Sequence, residues 1–146
     1  MDYIINPVKM GGLVKAVNNG NIKIHLHGRL GVITVPRSMI MGDTEIVPGH
    51  DLSFYFSYIQ ITQDPYDYDA SDLTTDHEIM PCLIGGKVTQ VNDTAIEVTM
   101  MNNLGTIAVP RRWAFTPVTL EVGQDAEFYL SCMEVVGKRD IPAEMI

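Results

Sequence analysis

The sequence predicts an all-β protein built as two small barrels in tandem, related by pseudo-two-fold symmetry. Three observations carry this: an internal repeat, apolar residues at strand spacing, and Gly, Pro and Asn at the joints. The repeat comes first, because a missed repeat misassigns the whole fold. Sliding the chain along itself until Pro7 meets Pro81 also brings Gly11 and Gly12 onto Gly85 and Gly86, and Val14 onto Val88. The match runs on through Leu30-Gly31 with Leu104-Gly105, Val35-Pro36-Arg37 with Val109-Pro110-Arg111, and Phe54-Tyr55 with Phe128-Tyr129. From 7/81 to 61/135 there are 18 identities in 55 ungapped pairs, where ordinary composition gives about three.

Each copy reads as strands. Ile22, Ile24 and Leu26 alternate with Lys23, His25 and His27, and the second copy alternates Ile96, Val98 and Met100 with Glu97, Thr99 and Met101, so one face is buried. Asn18-Asn19-Gly20-Asn21 and Asn92-Asp93-Thr94 supply turns, since these residues tolerate positive φ. A third strand, Leu30 to Val35, closes at Pro36, which cannot donate to a ladder. The longest strand runs from Leu52 to Ile61 and from Ala126 to Val135, with apolar residues on both faces. Either it is covered on both sides or a bulge near Ser57 and Ser131 switches its face. Four to five short strands in about 60 residues cannot make an open sandwich with an adequate core, but they can close as a barrel. The expected division is residues 1–62, an acidic linker over 63–78, and residues 79–146, with Asp2 to Pro7, Asp76 to Pro81 and Arg139 to Pro142 as further short segments.

Composition narrows the function classes. Apolar residues make up 46% of the 146, and 10 Lys plus Arg against 18 Asp plus Glu leave a net charge of −8. Disorder is excluded by that apolar content, and tight non-specific binding to nucleic acid or anionic membrane is disfavoured by that charge. Neither a secretory leader nor a run of apolar residues long enough to span a membrane is visible, so a cytoplasmic location with reduced thiols is expected. Cys82 and Cys132 are too few for a disulfide scaffold or zinc ribbon and are expected to be buried.

The order Gly-x-Val-x-x-Val-Asn, Ile-x-Ile, Leu-Gly-x-Ile-x-Val-Pro, a loop, then Gly-x-Asp before a long apolar strand resembles the S1-type OB-fold over nearly all of each repeat. The resemblance implies an OB barrel, with RNA bound by aromatic and basic residues on the second and third strands. The chain has Lys23, His25, His27 and Thr34 there in one copy and Glu97, Thr99, Met101 and Ala108 in the other. The residues themselves leave OB-like and SH3-like closure open. As a whole, the chain is also similar to a family of duplicated small-β-barrel proteins from anaerobic Firmicutes, which implies no mechanism.

Candidate sites are few. His25 and His27 share a strand face about 7 Å apart, but the second copy has Thr99 and Met101 there, so a surface pair is preferred to a metal site. The carboxylates from Asp64 to Asp76 lack the glycine turn and bidentate Glu of an EF-hand. Val-Pro-Arg is the most specific repeated feature. An Asp follows each Arg at the same distance, Asp51 after Arg37 and Asp125 after Arg111; a carboxylate–guanidinium tie is expected, with anion contact, reinforced by Arg112, as the other reading. The following loop carries Met39, Ile40 and Met41 in one copy and Trp113, Ala114 and Phe115 in the other, either plugging a barrel end or forming an interface. No nucleophile motif or phosphate-cradling loop appears, so no catalytic residue, metal or cofactor is expected. The favoured function is a non-enzymatic binding or assembly module acting through protein contacts, possibly with itself. The alternative is a tandem OB-like nucleic-acid binder, which needs a local basic stripe.

Overall fold

A computed structural model describes residues 6–28, 31–63, 79, 81–116 and 119–138. The expected linker lies outside the described residues from 64 to 78, as do residues 1–5 and 139–146. The described residues are all-β: β1 (Val8–Asn18), β2 (Asn21–Leu26), β3 (Val32–Pro36), β4 (His50–Phe56), β5 (Ile59–Thr62), β6 (Cys82–Val91), β7 (Ala95–Met100), β8 (Thr106–Pro110), β9 (Ala114–Phe115), β10 (Asp125–Leu130) and β11 (Glu134–Lys138). Short 3-10 turns follow β3 and β8 at Arg37–Met39 and Arg111–Trp113. No helix among the described residues is long and apolar enough to cross a membrane.

Local chemistry accounts for the hairpins. Asn18 pairs with Asn21 across a two-residue loop, and both loop residues, Asn19 and Gly20, have positive φ, as the tight turn that matches strand twist requires. In the equivalent turn the Asn92 side chain accepts the amides of Thr94 and Ala95 instead. The expected alternation is present: Ile22, Ile24 and Leu26 are buried, as are Ile96, Val98 and Met100.

The two-barrel expectation requires correction. All eleven strands belong to one sheet, in which β4, β1, β2, β3, β8, β7, β6 and β10 pair in sequence and β10 returns to β4 through Leu130 opposite Phe56. The eight strands close one ring around a single core that contains Ile24, Ile33, Phe54, Phe56, Val98, Ile107 and Phe128. The reason is edge pairing: four strands leave two open edges, and the two halves cover each other's. One seam is β3 against β8, with Ile33 opposite Ile107 and Thr34 opposite Thr106. Gly31 and Gly105 sit beside it at φ +109° and +105°, where a Cβ would collide with the carbonyl oxygens of Ala108 and Thr34 respectively. Only glycine fits that approach.

The other seam is made by the long strands, and each is interrupted. After Phe56 the chain turns through Ser57 and Tyr58 and resumes as β5, paired with β10; after Leu130 it turns through Ser131 and resumes as β11, paired with β4. Each half therefore lends its last strand to the other. The apolar positions change phase at this crossing, from Leu52, Phe54 and Phe56 to Ile59 and Ile61, and β5 is covered on both faces, with Gln60 and Thr62 also buried. Both serines are buried and bifunctional. Ser57 Oγ accepts the Tyr129 amide at 2.8 Å and donates to Tyr58 O, while Ser131 Oγ accepts the Tyr55 amide at 2.8 Å and donates to Cys132 O. The hydroxyls stand in for ladder carbonyls where the strands change partner. Ser57→Ala and Ser131→Ala each leave a buried amide without its acceptor and should lower stability by about 1–3 kcal/mol in urea denaturation. Unchanged midpoints in both would show that the hydroxyls do not hold the crossing.

Candidate functional site

The repeated Val-Pro-Arg places both arginines directly after a strand, and the Arg37 and Arg111 amides donate to Gly20 O and Thr94 O, tying each 3-10 turn to the β-turn beside it. The side chains do not make the expected aspartate ties. Arg37 donates to the carbonyls of Ile40 at 2.6 Å and of Gly42 and Thr44 at 2.8 Å, folding the loop after β3 around its guanidinium. Five planar donors make Arg suited to that task. Arg111 donates to Asn92 O. Asp125 is paired with Lys87 at 2.6 Å, and Asp51 lies 3.7 Å from His27 Nε2. The sequence sets Asp51 and Asp125 equally far beyond their arginines, but both lie at the start of strands whose outward neighbours are on β1 and β6 rather than in the loop. Because β3 and β8 run antiparallel, Arg37 and Arg111 also leave from opposite ends of the ring, so they do not converge on one anion. Arg112 is exposed.

The apolar loops differ between the halves. Met39 and Ile40 are buried in the core, and Ile40 bridges Met133, so the first loop plugs its end of the ring. The second is half-buried. There β9 runs parallel to β5, with Ala114 opposite Ile59 and Phe115 opposite Gln60. Trp113 packs against the core and donates its indole N–H to Ser57 O at 2.9 Å. Tyr58 lies over it with ring centroids 4.0 Å apart, and Phe115 stacks on Tyr58 at 4.6 Å. Phe56 extends the series inward, 6.2 Å from Trp113. The result is an aromatic ladder running from the core to Tyr58, which is 38% exposed. The sequence reading named Trp113 and Phe115 but missed Tyr58, because the equivalent position in the second repeat is Cys132, which is buried. A large aromatic standing where the repeat has a small residue was the available signal.

His25 lies on the outward side of β2 and is half-buried, and His27, in the turn just past the strand, is exposed. Among the described residues no group of three His, Cys, Asp or Glu is placed to hold a metal. Burial, and then the ammonium groups of Lys15 and Lys23, push the His25 imidazole below its ordinary range. Lys15, Lys23 and His25 thus form a local basic cluster. It does not extend around the ring: across the sheet, Lys23 is followed in register by Thr34, Thr106, Thr99 and Lys87, and Lys87 is neutralised by Asp125. Cys82 and Cys132 are buried, and burial pushes the Cys132 thiol up.

Two measurements follow. Arg37→Met strips donors from three loop carbonyls and should destabilise by about 1–2 kcal/mol; an unchanged unfolding midpoint would mean that the loop holds itself. The His25 value is depressed in the folded state, so below the ordinary imidazole range the unfolded chain binds more protons and stability falls as pH falls. His25→Gln should flatten the loss of thermal midpoint between about pH 7 and pH 5, and parallel profiles for variant and wild type would remove His25 from that dependence. Set beside known proteins, the chain matches no family model and no curated protein.

Proposed function

We propose that the chain is a non-enzymatic assembly module acting through protein contacts, and that a second copy is the partner. The observation that carries this is Tyr58. A solvent-facing aromatic anchored by stacking on Trp113 and Phe115 offers a rigid apolar surface of the kind that dominates protein interfaces. Trp113 acts as the anchor, since its indole N–H is committed to Ser57 O.

The ring itself is read as a tandem duplication with a pseudo-two-fold axis. Support comes from register: equivalent residues of the two repeats stand opposite each other at both seams, Ile33 with Ile107 and Phe56 with Leu130. The serine bonds to Tyr129 and Tyr55 are reciprocal in the same sense. A fused pair of repeats already satisfies the contact that a two-fold dimer of single repeats would make, so further assembly must use surface outside the seams. A cytoplasmic setting, with Cys82 and Cys132 as thiols, is part of this reading.

Sedimentation velocity on wild type and Tyr58→Ser tests it. The wild type should sediment as a dimer at micromolar concentration and Tyr58→Ser as a monomer with an unchanged circular dichroism spectrum. A monomeric wild type, or a dimer that survives the substitution, overturns assembly through this ladder.

A further inference from the structure

A second feature lies on the outer face of the first half, away from the aromatic ladder. His27, just past the end of β2, stands beside Gly11 of β1 and Ser53 of β4: Gly11 pairs with Ser53, and the His27 amide donates to Gly11 O. Glycine in the middle makes room for the imidazole, because a Cβ on Gly11 would lie 2.6 Å from His27 Cδ2 and push the ring aside. The gap it leaves is the floor of an open cleft of about 370 Å³, walled by Lys9, His27, Asp51 and Ser53, with the exposed Val136 as its apolar side chain. Val136 comes from β11, so both halves of the chain build the site.

Apart from the Asp51 carboxylate, the polar side chains of this cleft are donors. Among the described residues the Lys9 ammonium and the Ser53 hydroxyl make no hydrogen bond or ion pair, and the only such contact of the His27 ring is Asp51 at 3.7 Å. Asp51 is engaged within the protein, while Glu134, opposite Ser53 in register, lies outside the lining. In the second repeat the same place is filled. Leu83 stands for Lys9 and Met101 for His27, and Met101 Sδ accepts the Gly85 amide. Glu127 stands for Ser53 and is buried against Gln60 at 2.5 Å. One half has closed this position and the other has left it open and lined with unused donors.

We propose that the cleft binds a small anion carrying an apolar group, a carboxylate or a phosphate monoester, with Lys9, His27 and Ser53 donating to the anionic oxygens and the exposed Val136 against the apolar part. Convergent donors on an apolar-lined cleft are the usual build of a small-molecule site. The inference stands independently of assembly through Tyr58.

Titration of the isotope-labelled full chain with phenyl phosphate and, separately, with benzoate tests it, read by the His27 ring resonances and the Gly11 amide. At least one ligand should give a saturable shift at both, phenyl phosphate alone assigning the phosphate class and benzoate alone the carboxylate class. Lys9→Met should weaken that binding about fivefold, and Ser53→Ala, run in parallel, should weaken it in the same direction, both with unchanged thermal midpoints. No saturable shift with either ligand, or wild-type affinity in both variants, overturns the proposal.

Discussion

Closing this ring depends on two strands that change partner halfway along. A strand that leaves one ladder to join another must break its hydrogen bonding at the crossing, and the crossing here is in the core, where an unmet amide is expensive. Ser57 and Ser131 meet that demand by accepting from Tyr129 and Tyr55 while donating to the next carbonyl along their own chain. A hydroxyl is the smallest side chain that does both. The strand exchange, the phase change of the apolar positions and the placement of β5 and β11 all follow from that pair.

Around this shared frame the two halves carry different side chains at equivalent positions of the sequence. The glycines at the β3–β8 seam, the 3-10 turns after Pro36 and Pro110 and the serines occur in both halves. The positions that differ are those free of these steric and hydrogen-bonding demands: Met39 is buried where Trp113 is half-exposed, Tyr58 is exposed where Cys132 is buried, and His27 is exposed where Met101 packs on a backbone amide. Each candidate surface therefore occurs once in the molecule, because it uses residues that the equivalent positions replace, although both halves contribute to it.

Much of the fold was legible in the sequence because its causes are local. Alternation at Ile22, Ile24 and Leu26, the Asn19-Gly20 turn, and the strand end at Pro36 each rest on neighbouring residues. The change at Ser57 and Ser131 was also visible, as apolar residues falling on both faces of one strand. Which strand lay beyond it was not, since a hydroxyl that accepts an amide from a strand in the other half of the chain leaves no local pattern. The same limit applied to the sites. Arg37 and Asp51 matched Arg111 and Asp125 in spacing, but their partners are set by which strand lies alongside: β1 offers no cation opposite Asp51, whereas β6 offers Lys87 opposite Asp125. The cleft beside Gly11 was hidden for a related reason, because His27, Gly11 and Ser53 come from three separate stretches of chain.

The indole of Trp113 is bonded to the carbonyl of Ser57 and stacked beneath Tyr58, and it is the one tryptophan in the chain. The molecule thus carries its own optical probe, seated on the joint where the halves trade strands. Its emission reports whether that joint is closed, so opening of the seam can be followed separately from the loss of sheet seen by far-ultraviolet dichroism.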